Sequence, residues 1–261
     1  MPLLPKEHGA YGQIALPLLT AFAVAGLSIA GVSIALAICA AFLAHEPGLV
    51  LLGLRGTRAR RELRVRALLW LGICLLIAGA AAAGALWTMA DGLQWTMLIP
   101  VAPALVLAVA AVRGREKTWY GEVSAALAFS TAAVPVAAAA AAPLATAAAV
   151  AIPFAVLFVV STLAVRTVIL RVRGGGDPRA ASLTRVATVL VAGVIGAGLW
   201  LSAALGPVPP SVLAAAAPGL LASTAIALRP PPPAHLRTVG WTLVAISVLT
   251  AAIVVTTLQT T

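Results

Sequence analysis

Nine apolar stretches, each about as long as a membrane-spanning helix, follow one another along this chain of 261 residues. A helix needs about 20 apolar residues to cross the hydrocarbon core of a bilayer. The pattern predicts an all-α, polytopic membrane helical bundle of about nine transmembrane helices, forming a single transmembrane domain over residues 1–261. The stretches are 13–31, 32–54, 67–88, 95–112, 122–141, 147–170, 183–204, 211–228 and 238–257.

All 17 lysine and arginine residues fall on one side of this pattern. They precede the first stretch or lie at the second-to-third, fourth-to-fifth, sixth-to-seventh and eighth-to-ninth junctions. Cationic loops resist translocation, so the basic side is the cytoplasmic one. Abundant alanine, with arginine in place of lysine, indicates a GC-rich bacterial genome. We therefore predict a multi-pass protein of the bacterial inner membrane, with its N-terminus in the cytoplasm and its C-terminus outside.

The composition excludes a soluble domain, because only 9% of the residues are charged and 62% are hydrophobic. A soluble domain carries about 25% charged residues. The net charge of +10 is typical of nucleic-acid binding, but here the positive residues follow the topology. We expect them to meet the lipid bilayer or a phosphorylated ligand, and we expect no nucleic acid as a partner.

Three ionisable residues, Lys6, Glu7 and His8, stand directly before the first stretch and are followed by Gly-Ala-Tyr-Gly. Glycine exposes the backbone and the start of a helix favours anions, so this segment is suited to hold a phosphate or a carboxylate. The alternative is an interfacial anchor that only starts the helix. Because topology needs only the lysine, we favour a ligand-binding role.

Glu46 is an acid within the second stretch, nine residues before Arg55. On a helix that continues to Arg55, the two lie about 13 Å apart at ~1.5 Å per residue. A carboxylate at that depth is costly and by default marks a functional site facing the bundle interior. Pro47 follows and leaves the Leu43 carbonyl without its helical donor. The alternative is a structural acid that is protonated or paired with an arginine.

Arg166 lies inside the sixth stretch, and Arg173 follows seven residues later on the same face of a helix. Arg171 lies close by at the rim. Arginine stays charged and binds phosphate through two parallel hydrogen bonds, so this face is similar to an anion clamp. We predict that Arg166 is the partner of Glu46. The alternative for these arginines is snorkelling towards the headgroups.

The topology resembles the UbiA superfamily of intramembrane prenyltransferases, which has nine spans and holds most of its charge in the loops after the second and sixth. The segment Arg115–Glu122 reads Arg-Glu-Lys-Thr-Trp-Tyr-Gly-Glu. It resembles the basic-threonine-aromatic entry to that superfamily's fifth helix, so Lys117 is an expected ligand-binding residue. The opening Pro5–Tyr11 segment, Pro-Lys-Glu-His-Gly-Ala-Tyr, and the later Glu46-Pro47 resemble the YwiC-like family of bacterial membrane proteins, which has no settled function.

The metal-binding motifs of the prenyltransferases are missing. In that superfamily, Asp-rich motifs near the ends of the second and sixth helices hold Mg²⁺ ions that bridge a diphosphate. Here residues 44–50 contain one acid, and Arg166 inside the sixth stretch is followed by Arg171 and Arg173 before Asp177. The resemblance therefore carries over no metal ligand, no cofactor and no catalytic residue.

Two interpretations of the function follow, and neither decides whether a reaction is catalysed. In the first, which we favour, the protein binds an isoprenoid or lipid phosphate in a cytoplasm-facing intramembrane cavity, with arginines in place of magnesium. In the second, it is a non-enzymatic carrier or transporter, or an assembly subunit of a membrane complex. The first predicts that six residues converge on one hollow: Lys6, Glu7, His8, Glu46, Arg166 and Arg173.

Overall fold

The computed structural model describes residues 3–5, 8–172, 178–206 and 208–259, and within these ranges the chain forms α-helices joined by turns, without strands. This confirms the predicted all-α membrane bundle. Short 3₁₀ turns at Gln94–Met97 and Pro233–His235 precede two of the helices. The helices are α1 (His8–Ala25), α2 (Ile29–Leu51), α3 (Thr57–Thr88), α4 (Leu98–Val112), α5 (Trp119–Thr131), α6 (Ala133–Ala139), α7 (Leu144–Val172), α8 (Pro178–Ala204), α9 (Pro210–Leu228) and α10 (Leu236–Gln259).

Each predicted stretch overlaps mainly with one helical segment, the fifth being formed by α5 and α6 together. Within the described ranges, eight segments are long and apolar enough to cross a membrane. The ninth, Gly9–Ala25 of α1, is shorter. At ~1.5 Å per residue it extends about 26 Å, close to the ~30 Å of a hydrocarbon core.

The boundary between the first two helices differs from the sequence expectation of 31/32. The α1 helix ends at Ala25, and Gly26 follows with a φ of +86°, a conformation that ends helices and that glycine adopts without strain. The α2 helix then begins at Ile29, because the Ser28 hydroxyl accepts a hydrogen bond of 3.0 Å from the Gly31 N–H. These two local signals lie inside a continuous apolar run, which is why hydropathy alone misplaced the boundary.

The segment 55–66 was expected to be a cytoplasmic loop, but most of it is helical. The α3 helix begins at Thr57, ten residues before the third apolar stretch, and spans 32 residues. At ~1.5 Å per residue this is about 48 Å, longer than the bilayer core. Its first turns, which carry five arginines, therefore project beyond the hydrocarbon.

Consecutive spans run in opposite directions, so among the described ranges one end of the bundle collects the segments that carry lysine or arginine. We call it the basic end. Side chains of α2, the α4–α5 loop, α5 and α7 contact one another there. At the opposite end, the Gln259 side-chain amide donates a 2.9 Å hydrogen bond to the Ala23 carbonyl, joining the ends of α10 and α1.

The bundle is organised around α7, which packs against α1, α5, α6, α8, α9 and α10. Small residues allow close approach of these backbones: a Cβ at Gly219 of α9 would lie 2.8 Å from Leu157 of α7. Such close approach supplies van der Waals packing where lipid removes the hydrophobic drive. By contrast, α3 packs mainly against α2 and exposes large apolar residues to the surroundings. The centre of the bundle thus lies at α5–α7.

Candidate functional site

Acidic and basic side chains from five segments of the chain meet in pairs at the basic end. In the described part of the chain, the pairs that join different segments include Glu46 with Arg55, His45 with Glu116, and Glu122 with Arg166. They link the end of α2, the α2–α3 turn, the α4–α5 loop, the start of α5 and the last third of α7. The site is a set of ionic contacts that joins these elements at the membrane boundary.

Glu46 is the most buried acid of the set, with a relative exposure of 3%. Arg55 holds it through two parallel hydrogen bonds, from Nε to Oε1 at 3.0 Å and from Nη2 to Oε2 at 2.6 Å. The sequence prediction assumed that the α2 helix continues to Arg55, and this is wrong. The helix ends at Leu51, and Gly53, with a φ of +79°, helps the chain turn back. The observed partner of Glu46 is therefore Arg55, and not the predicted Arg166.

His45 points towards the α4–α5 loop, where its Nε2 lies 3.5 Å from Glu116 Oε2. That carboxylate oxygen is buried and has no hydrogen-bond partner among the described residues. The loop folds so tightly here that a Cβ at Gly121 would overlap the Glu116 carbonyl. A larger residue at 121 would therefore displace the backbone that carries Glu116.

Arg166 of α7 reaches the N-terminus of α5. Its Nη1 donates to Glu122 Oε2 at 3.0 Å and to the Lys117 carbonyl at 3.2 Å. Thr118 caps this helix by accepting from the Gly121 N–H, and Glu122 lies in its first turn, where the helix dipole favours an acid. The Arg166 side chain keeps 26% of its surface exposed, so it lies at the edge of the bundle rather than in its core.

The described residues of the opening motif pack against the same end. The Tyr11 hydroxyl donates to the Pro5 carbonyl at 3.0 Å, and Pro5 is buried. The Tyr11 ring meets Phe42 of α2 edge to face at 5.1 Å, and Phe42 meets Phe129 of α5 at 5.8 Å. These contacts fasten the start of α1 to Phe42, about one helical turn before His45 and Glu46.

Two of the predicted ligand residues, Lys117 and Arg166, are in contact, and a third, Glu46, is next in sequence to His45, which approaches the same loop. Arg166 contacts the backbone of Lys117, and the side chain of Lys117 is exposed. His45, which precedes Glu46, lies 3.5 Å from Glu116, which precedes Lys117. The remaining predicted residues are not fully described. Lys6, Glu7 and Arg173 lie outside the described residues, and so do the side chains of His8 and Arg171.

Sequence reasoning missed the partners of these residues. Arg55 was grouped with the topogenic arginines, and neither Glu116 nor Glu122 was assigned a role. One signal was present, because Thr118 followed by Gly121 and Glu122 is a helix start with an acid in its first turn. No comparable signal identified Arg55, since its contact depends on where α2 ends.

The fold, with its apolar helices and its basic end, defines a class, the polytopic α-helical membrane proteins. The family model of the YwiC-like proteins matches residues 4–138, just over half of the chain. The chain belongs to this YwiC-like family. The matched region contains Glu46, Arg55, Glu116 and Glu122, whereas Arg166 lies beyond it. Searches of the curated proteins and of the solved structures found no match. The resemblance to the prenyltransferases stays a prediction.

Proposed function

We propose that this protein binds the phosphate of an isoprenoid or a phospholipid in a hollow at the basic end. The observation that carries the proposal is the position of Arg166, a partly exposed guanidinium anchored at the rim of the bundle. Its neighbours in the proposed site are the exposed Lys117 and the residues that the sequence assigns to the same end. In full, the proposed ligand residues are Lys6, Glu7, His8, Glu46, Lys117, Arg166, Arg171 and Arg173.

The geometry at Arg166 suits an anion. A guanidinium has five N–H donors, and both hydrogen bonds to described residues use Nη1. Glu122 and the Lys117 carbonyl thus orient the group without using its full capacity. A phosphate that approaches from the exposed side would gain charge-assisted hydrogen bonds, which are about twice as strong as neutral ones.

Glu46 has an indirect role in this proposal. It is buried and pairs with Arg55, so it orients a second guanidinium, which is 24% exposed, at the same end. The electrostatic balance favours an anionic ligand, because the sequence pattern assigns six of the seven acids and all 17 basic residues to this side. The excess positive charge attracts phosphate headgroups near the surface.

The test is binding of a prenyl diphosphate and of phosphatidic acid to purified protein in a neutral detergent. Arg166→Ala should weaken binding of either probe about 10- to 100-fold, since hydrogen bonds to charged groups contribute ~1.5–3 kcal/mol. Binding should persist in EDTA, because arginine, rather than magnesium, is proposed to hold the phosphate. Comparing the two probes distinguishes an isoprenoid from a phospholipid ligand.

Arg61→Ala provides the matched control, because Arg61 is an exposed arginine at the same end, on the projecting part of α3. It should change binding by less than about twofold. Equal losses in both variants would indicate a diffuse surface field rather than a site. If neither probe binds, the proposal is wrong and a non-enzymatic carrier or assembly subunit is favoured. Melting temperatures of both variants show whether Arg166→Ala acts through folding.

We also propose that the membrane is the inner membrane of a bacterium, with the basic end in the cytoplasm. The asymmetry of lysine and arginine across the bundle supports this orientation. An odd number of spans then places the N-terminus inside and the C-terminus outside. Membership of a family of bacterial membrane proteins supports the compartment.

A further inference from the structure

An apolar groove lies in the half of the bundle that is remote from the basic end. It is formed where α4 and α7 both pack against the α5–α6 segment, and it encloses about 330 Å³. Trp95 and Leu144 lie at its outer end and Ala155 at its inner end. Pockets that bind small ligands measure about 300–1,000 Å³, so this volume is large enough for one chain of a lipid.

Small residues and an interrupted helix create the groove. Ala148, Ala151 and Ala155 line it from one face of α7, where larger side chains would fill it. On the other side lies the break between α5 and α6. There Pro135 lacks the N–H that would bond the carbonyl of Thr131, so the helix is interrupted beside the groove.

The lining of the groove suits a hydrocarbon. Its residues are aliphatic or aromatic apart from Thr131. The Thr131 hydroxyl already donates to the Leu127 carbonyl at 2.6 Å within its own helix. A polar ligand group would therefore lose its hydration in the groove without gaining a new partner, which costs free energy.

The length of the groove matches one leaflet of a bilayer. From Leu144 to Ala155 the α7 helix rises about 16 Å at ~1.5 Å per residue, and half of the hydrocarbon core is ~15 Å. Trp95 is half-exposed at the outer end. Tryptophan concentrates at the membrane–water interface, so the groove begins at headgroup level and ends near the midplane.

We propose that this groove binds one acyl chain of a phospholipid from the leaflet opposite the basic end. Charge selects the headgroup. Asp91 is exposed four residues before Trp95, and the sequence pattern assigns no lysine or arginine to this end of the bundle. An amine-bearing headgroup such as phosphatidylethanolamine complements Asp91, whereas an anionic headgroup is repelled by it. This site lies in the other leaflet from the proposed phosphate site and is independent of it.

The test measures phospholipid retained by the protein after extraction from bilayers of dioleoyl phosphatidylethanolamine and dioleoyl phosphatidylglycerol in equal parts. Native mass spectrometry should find one phosphatidylethanolamine on the wild-type protein. Ala148→Phe places a ring in the groove and should reduce retention about tenfold, which is ~1.4 kcal/mol. Ala155→Leu, a smaller change deeper in the groove, should reduce it in the same direction.

Val194→Phe is the matched control, since it adds a ring to a position of α8 that is 72% exposed. It should retain the lipid. Asp91→Asn should keep the lipid but remove the preference for phosphatidylethanolamine over phosphatidylglycerol. The proposal is overturned if the wild-type protein retains no phospholipid, or if Ala148→Phe and Ala155→Leu, with wild-type melting temperatures, retain as much as Val194→Phe. Should Ala148→Phe fail to fold, Ala155→Leu decides alone.

Discussion

The Glu46–Arg55 pair offers the sharpest test of the structure, because its two partners are close in space only if α2 ends at Leu51. Replacing Arg55 with Met leaves a carboxylate that is 3% exposed without this partner. Breaking a buried ion pair in this way costs about 3–5 kcal/mol. Glu46→Gln keeps the shape of the side chain but removes its charge. We expect it to cost about 2 kcal/mol, because hydrogen bonds to charged groups contribute ~1.5–3 kcal/mol.

The double variant separates the pair from the rest of the protein. With Glu46→Gln and Arg55→Met combined, no unpaired carboxylate is left at position 46, so the loss should be no larger than for Arg55→Met alone. The coupling free energy between the two positions should then be about 2 kcal/mol, within the range seen for residues in direct contact. Reversible unfolding in mixed micelles, followed by circular dichroism, measures all three free energies.

A matched cycle on Arg58 and Glu62 provides the control. This pair has a comparable N–O distance of 2.7 Å, but its side chains are 90% and 58% exposed on one face of α3. Exposed pairs at this helical spacing couple by only about 0.3–0.5 kcal/mol. If the Glu46–Arg55 coupling is no larger than this, the two residues do not form a buried pair and the described end of α2 is wrong.

Two further predictions concern the orientation and the α4–α5 loop. Reporter fusions after residues 62 and 115 should report cytoplasm and fusions after residue 91 and at the C-terminus the outside; a C-terminus found inside would remove one span from the bundle. Gly121→Ala should lower the free energy of unfolding by about 1–3 kcal/mol, because the added Cβ overlaps the Glu116 carbonyl. Gly198→Ala should not lower it, because a Cβ at this position in the interior of α8 would meet open space. Thermal denaturation of both variants checks this, and equal stability would show that the loop is less tight than described.

Local signals in the sequence predicted much of the fold. Apolar length predicted the number of helical segments, eight of which are long enough within the described ranges to cross a membrane, and the distribution of arginine and lysine grouped their ends into a basic and a non-basic set. Where local signals competed, prediction failed. Gly26 and Ser28 separate α1 from α2, but the apolar run around them concealed the turn. The arginines at the start of α3 suggested a loop, although arginine is a good helix former and the helix begins at Thr57.

The candidate site was only partly predictable, for a different physical reason. Burial cost identified Glu46 and Arg166 as exceptional, because each is an ionisable residue within an apolar stretch. Their partners depend on distances between helices, and those distances are not encoded at any single position. Arg55 reaches Glu46 through the turn after α2, and Glu122 reaches Arg166 across the contact of α5 with α7.

What the sequence determined by itself is therefore the membrane class, the spans and the side on which charge collects, because each follows from the transfer of individual residues into lipid. What only the tertiary structure decided is which charges meet and where space remains. The pairs at the basic end join segments as far apart in the sequence as His45 and Glu116, and the apolar groove needs the alanines of α7 to face the break beyond Thr131. Both depend on how helices pack, and packing is a property of the whole bundle rather than of any one stretch.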